Sequence, residues 1–160
     1  MPVRYAELHA LSNFTFLRGA SHPEELVETA ATLGYEALAM TDECSMSGIV
    51  RAHSAAQAHG LKKLIIGSEL KLRSGRKLVA LARNRNGYAA LCRLITNARR
   101  AANKGDYELT RQAFEEGLPD CLILWVPGRD LTLDVEDHWL RETFRDRLWI
   151  AVELLADGRQ

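Results

Sequence analysis

Tyr5-Ala6-Glu7-Leu8-His9-Ala10-Leu11-Ser12-Asn13-Phe14-Thr15-Phe16-Leu17-Arg18-Gly19-Ala20 runs from a short strand pattern, through a histidine just after it, into a loop that reaches Gly19. Tyr5 to Leu8 reads as the first strand. Ser21-His22-Pro23-Glu24 then reads as a helix start. Ser21 can cap, Pro23 tolerates a first turn where its missing N–H is no loss, and Glu24 can close a capping box. Leu26, Val27, Ala30, Ala31 and Leu33 supply an apolar face, and Gly34 suits the helix stop. A strand, a loop with a histidine and a helix make the first β-α unit.

The pattern repeats outward from there. Ala37-Leu38-Ala39-Met40 predicts a short buried strand, and Gly48 to His59 a second helix ended by Gly60. Leu64-Ile65-Ile66-Gly67 predicts a third strand. A turn at Ser74-Gly75 leads to a fourth at Leu78 to Ala82. Asn86-Gly87 reads as a turn before a long amphipathic helix from Tyr88 to Ala102. Thr110 is placed to cap a short helix ending near Gly117. Cys121 to Val126 predicts a strand stopped by Pro127-Gly128, Val135 to Phe144 a helix, and Trp149 to Leu155 a last strand. The polar stretches Asn103 to Tyr107 and Pro127 to Asp134 read as flexible loops. Alternating strands and helices with apolar strands predict an α/β fold, a parallel sheet covered by helices. An open sheet and a barrel both satisfy the pattern.

The 160 residues suffice for one domain with a core. Lys plus Arg and Asp plus Glu both number 21, so overall charge gives no argument for a nucleic-acid or membrane partner. Cys44, Cys92 and Cys121 form no C-x-x-C pair. That fits a reducing cytoplasm and argues against a disulfide framework or a cysteine-rich zinc site. No signal-peptide pattern opens the chain, and its apolar runs are too short to span a bilayer.

In parallel α/β folds, functional residues gather beyond the carboxyl ends of the strands. Three candidates fall there: His9 after the first strand, Asp42 after the second and Glu69 after the third. A histidine and two carboxylates are a plausible set for a divalent metal. Each has a plainer reading too. A lone histidine near a strand end is more often a hydrogen-bonded structural one, an aspartate after a strand commonly caps the next helix, and Glu69 fits a solvated edge. Arg93, Arg99, Arg100 and Lys104 concentrate charge along and after the long helix. They are weak DNA-phosphate candidates, and a solvated helix face explains them as well. Trp125, Trp139 and Trp149 read as core or domain contacts rather than base-stacking platforms.

These segments carry a resemblance. Tyr5 to Ala20 resembles the first motif of the PHP (polymerase and histidinol phosphatase) domain, roughly H-x-H-[ST]-x-[YF]-S-x-x-D-G in metal-binding members. His9 stands at the first His, Leu11 at the second, and Arg18 at the Asp before Gly19. Ala37 to Glu43 resembles A-[IL]-A-[IL]-T-D-H, with Glu43 where the ligand His is usual. Gly60 to Glu69 resembles G-[IL]-K-x-I-[IV]-G-x-E, with Glu69 kept and one extra residue around Lys62-Lys63. Lys77 to Tyr88 resembles H-L-x-L-L-A-x-N-x-x-G-Y of bacterial replicative polymerases, with Lys77 at the ligand His. The order matches the amino-terminal PHP domain of C-family DNA polymerases, DNA polymerase III alpha-subunit-like. Glu7 to Leu26 and Thr41-Asp42-Glu43-Cys44-Ser45 resemble their error-prone, damage-induced branch.

The resemblance implies a distorted (β/α) barrel. Residues 1–160 would form a single unit, the amino-terminal part of the domain, with the barrel incomplete and an edge strand uncovered. It implies a cytoplasmic role in translesion DNA synthesis, with Mg²⁺ bound by carboxylates of the parent polymerase downstream of this segment. The implied partners are the remainder of the polymerase chain, DNA through the parent enzyme, mutagenesis accessory proteins and a sliding clamp. In the segment itself His9, Asp42, Glu43 and Glu69 would be vestigial metal candidates, and Leu11, Arg18 and Lys77 substituted ligand positions. No cofactor is expected there; Mn or Zn is the alternative. Two cations at ligand positions oppose a dication by Coulomb repulsion, and Arg18 or Lys77 is expected to pair with the orphaned carboxylates. Two other functions stand beside the structural one: a metal-dependent phosphoesterase or 3′–5′ exonuclease, and a protein-binding module of a mutagenesis complex.

Overall fold

The computed structural model describes residues 4–128 and 135–153. Six strands form one curled sheet in sequence order: β1 (Ala6–Ala10), β2 (Ala37–Met40), β3 (Leu64–Lys71), β4 (Lys77–Ala82), β5 (Cys121–Val126) and β6 (Leu148–Ile150). Four α-helices accompany them: α1 (Pro23–Thr32), α2 (Ile49–His59), α3 (Arg85–Arg100) and α4 (Val135–Phe144). The last predicted strand is shorter than expected, and Leu154 and Leu155 lie outside the described residues, as does most of the expected loop before Asp134.

The sheet is mixed, which corrects the expectation of a parallel one. β1, β2 and β3 run parallel, but β4 is antiparallel to both β3 and β5. The physical reason is the length of the connection. Only residues 72–76 join β3 to β4, enough for a hairpin and far too few for a crossover. Reversal of β4 puts its first residue, Lys77, opposite Lys71 at the carboxyl end of β3. β5 reverses again and β6 runs parallel to it, so the residues after β6 return to the same end of the sheet.

Local signals explain the helices. In α1 the cap is His22 rather than Ser21, and Glu25 rather than Glu24 closes the box, its carboxylate accepting from the His22 N–H at 2.7 Å. Gly60 ends α2 in the left-handed conformation, φ 68°, which a Cβ disfavours. α3 begins earlier than Tyr88: the Asn84 side chain accepts from the N–H groups of Asn86 and Gly87, so the expected Asn86-Gly87 turn is the first turn of the helix.

Alternation along the strands divides the core in two. Leu38 and Met40 face α1 and α2, packing with Val27 and Ala52. Leu78, Ala80, Ile123 and Trp125 face α3 and α4, packing with Leu91, Phe114, Leu140 and Phe144. Phe114, Trp139 and Phe144 meet edge to face, with ring centroids 5.9–6.1 Å apart. The opposite faces of the strands, with Ala39, Val79, Leu81 and Val126, line the inside of the curl. Trp149 is 47% exposed on that side, at the open edge. Cys44 and Cys121 are buried thiols and Cys92 is half-buried, all unbridged. Among the described residues no helix is long and apolar enough to cross a membrane.

Candidate functional site

At the carboxyl end of β1–β3 six charged side chains meet. His9 and Glu69 lie within their strands rather than beyond them, a small correction to the expected placement. Between Glu7 and Ala10, β1 advances three residues while β2 advances two, and this bulge includes His9. Bulges re-aim side chains at a sheet's functional end. Past β2, Glu43 forms an isolated parallel bridge with Glu69, held by the Glu69 N–H to Thr41 carbonyl bond and the Cys44 N–H to Glu69 carbonyl bond. Two glutamates are thereby set side by side. Like charges so placed repel unless a cation lies between them.

Arg18 is that cation. Its Nη1 donates to Glu69 Oε1 at 2.5 Å and to Glu43 Oε2 at 2.7 Å, and its Nη2 donates to Glu69 Oε2 at 3.0 Å. Lys77 Nζ lies 3.8 Å from Glu69 Oε2. His9 Nε2 is 2.8 Å from Glu69 Oε2, and its Nδ1 is 2.7 Å from Glu153 Oε1. Both ring nitrogens of His9 face carboxylate oxygens, an arrangement that favours the doubly protonated imidazolium. Arg18, Lys77 and His9 then balance Glu43, Glu69 and Glu153.

The titration behaviour follows this arrangement. Burial alone would raise the Glu69 carboxyl, but hydrogen bonds from His9 and Arg18 and the charges of Lys77 and Arg18 outweigh it and hold it at about 2. Burial would lower His9, yet its two carboxylate partners leave it above the ordinary histidine value. The Tyr107 hydroxyl is raised by burial and by donating to Glu43 Oε1 at 2.7 Å.

Asp42 stands apart from the cluster. Its Oδ1 accepts from the Ser12 N–H and the Thr15 hydroxyl, and its Oδ2 from the Ser12 hydroxyl, each at 2.7 Å. Both oxygens pin the loop after β1. Gly19 closes that loop where a Cβ would lie 1.9 Å from the Ser12 carbonyl oxygen. Leu11 is half-buried in the same loop. Among the described residues no three His, Cys, Asp or Glu side chains form a metal-holding group.

Of the basic residues along α3, Arg99 is engaged with the protein itself. It donates to the carbonyls of Cys44, Gly105, Asp106 and Glu43 and lies 5.2 Å from the centre of the Tyr107 ring. Arg93, Arg100 and Lys104 are exposed. Sequence reasoning missed two members of the site. Tyr107 lies in a stretch expected to be flexible, yet its hydroxyl also accepts from the Lys71 N–H at 3.1 Å. Its signal was a lone aromatic after polar residues. Glu153 was a single acid in an apolar run.

The family model for the PHP domain matches residues 7–150. The chain belongs to the PHP domain family. This PHP domain is 58% identical over 157 residues to the error-prone DNA polymerase of Dechloromonas aromatica, covering 95% of the chain and 15% of that protein. It is 56% identical over 155 residues to the error-prone DNA polymerase of Methylococcus capsulatus, covering 96% and 15%. The chain thus spans about 15% of the length of these curated relatives. Among solved structures, one described as a metal-dependent phosphoesterase from Bifidobacterium adolescentis superposes with a TM-score of 0.65 at 16% identity, covering 93% of this chain and 77% of that one. That likeness establishes the fold: a PHP-type distorted barrel, open between β1 and β6.

Proposed function

We propose that this PHP domain serves as a structural segment of an error-prone DNA polymerase acting in damage-induced translesion synthesis in the cytoplasm. In this reading an ion-pair cluster stands where metal-binding relatives hold dications. The observation that carries it is Arg18 lying between Glu43 and Glu69. A dication placed between those carboxylates would meet a guanidinium, a lysine ammonium and an imidazolium. Both Glu69 oxygens already accept hydrogen bonds, and both Asp42 oxygens are committed to Ser12 and Thr15. The residues present therefore fit a self-neutralised cluster and do not fit a metal centre. The relatives' shared description as error-prone polymerases supports the parent activity. Primer extension itself would lie in the longer polypeptide.

The test is calorimetric titration of the purified chain with Mn²⁺ and Zn²⁺, with elemental analysis. The reading expects no stoichiometric binding. Stoichiometric binding abolished by Glu69→Ala would overturn it and favour a metal-dependent phosphoesterase.

A further inference from the structure

The loop after β1 is anchored at nearly every turn, yet it holds two large apolar side chains, Phe16 and Leu17, in solvent. Phe16 is 84% exposed and Leu17 94%. Around them Thr15 is buried and bonded to Asp42, and the Arg18 and Gly19 N–H groups both donate to the Thr15 carbonyl. Arg18 is clamped to Glu43 and Glu69. Leu17 has φ 63°, a left-handed conformation that residues with a Cβ rarely adopt. A flexible tip would fold such side chains inward or relax that angle. This one is held outward by its neighbours.

We infer that Phe16 and Leu17 form a preorganised apolar plug that inserts into an apolar pocket on the polymerase body, the longer part of the same polypeptide. The inference rests on the polymerase-segment reading above. Large apolar side chains presented without further ordering cost are what interface anchors require. The occupant follows from two facts. In the relatives, the region matched by this chain is 15% of one polypeptide, so the body is tethered beside the tip at high effective concentration. Nucleic acid is the poorer match, because three nearby arginines are engaged: Arg18 with two glutamates, Arg99 with four carbonyls, Arg73 with Glu108.

The test grafts the chain in place of the matching region of the Dechloromonas aromatica polymerase and follows hydrogen exchange at the Phe16 and Leu17 amides. Exchange should be at least about tenfold slower in the graft than in the isolated chain. A Phe16→Ser/Leu17→Ser variant should abolish that slowing and lower the graft's thermal midpoint, while leaving the isolated chain's midpoint unchanged. Equal exchange in both contexts overturns the plug. So does slowing that appears in the isolated chain with rising concentration, which would assign the tip to a second copy. A wild-type graft without primer extension counts instead against the polymerase-segment reading, because the exchange comparison reads the tip independently of activity.

Discussion

Arg18 grips both oxygens of Glu69, Nη1 to Oε1 at 2.5 Å and Nη2 to Oε2 at 3.0 Å, and the glutamate side chain is wholly buried. The pair joins the loop after β1 to the middle of the sheet. Such a fork-to-carboxylate contact is directional, and lysine cannot reproduce it.

Removing the guanidinium leaves Glu43 and Glu69 facing each other with only His9 and Lys77 to compensate. Arg18→Ala should destabilise the fold by roughly 1–2 kcal/mol, less than a fully buried pair would lose because the Arg18 side chain is 38% exposed. Adding Glu43→Gln should recover part of that loss, because it removes the repulsion. Urea unfolding of the single and double variants measures both. A double variant less stable than Arg18→Ala would show that repulsion is not what Arg18 relieves.

Restoring the family residues tests the metal argument from the opposite side. The combination Leu11→His, Arg18→Asp and Lys77→His removes two cations and adds three donors. It should create stoichiometric Mn²⁺ or Zn²⁺ binding, and the metal should raise the variant's melting temperature. Titration calorimetry and thermal melts with and without chelator read the outcome.

The cluster makes stability depend on pH at two limits. Glu69 is held at about 2, below its ordinary 4.5, so its contribution is complete above about pH 4.5 and is lost as pH falls toward 2. His9 is raised above 6.5, so its contribution is complete below 6.5 and is lost as pH rises through its folded value. Melting temperature should therefore be highest between these limits. His9→Gln should flatten the alkaline fall and leave the acid one. Equal alkaline slopes in the two proteins would remove His9 from the account.

Asp42 is assigned to the loop, so its replacement should act there. Asp42→Asn replaces one acceptor oxygen with a donor facing buried hydroxyls and an N–H. It should cost about 1–3 kcal/mol. Hydrogen exchange should quicken across residues 12–19 and remain unchanged in α3. Uniform quickening throughout the chain would mean that Asp42 supports the whole sheet.

Much of the architecture was legible because it is locally encoded. Ala37–Met40, Cys121–Val126 and Val135–Phe144 form the predicted elements, and Gly60 ends α2 as its backbone freedom allows. The motifs around His9, Glu43 and Glu69 fall at one end of the sheet, since neighbouring parallel strands bring their carboxyl ends together, whereas Lys77 reaches that end through the reversal of β4. Strand direction was misjudged at β4, where a five-residue connection permits only a hairpin. What lay beyond sequence was how the charges divide. Asp42 and Glu43 are adjacent in the chain, but one turns to Ser12 and Thr15 and the other to Arg18. Glu153 reaches His9 across 144 residues because β4 and β5 each reverse direction. Sequence alone determined which ionisable groups the chain carries and which strands present them. Only the tertiary structure decided their partners, because pairing depends on distances of a few ångströms between residues far apart in the chain, and no local propensity encodes those.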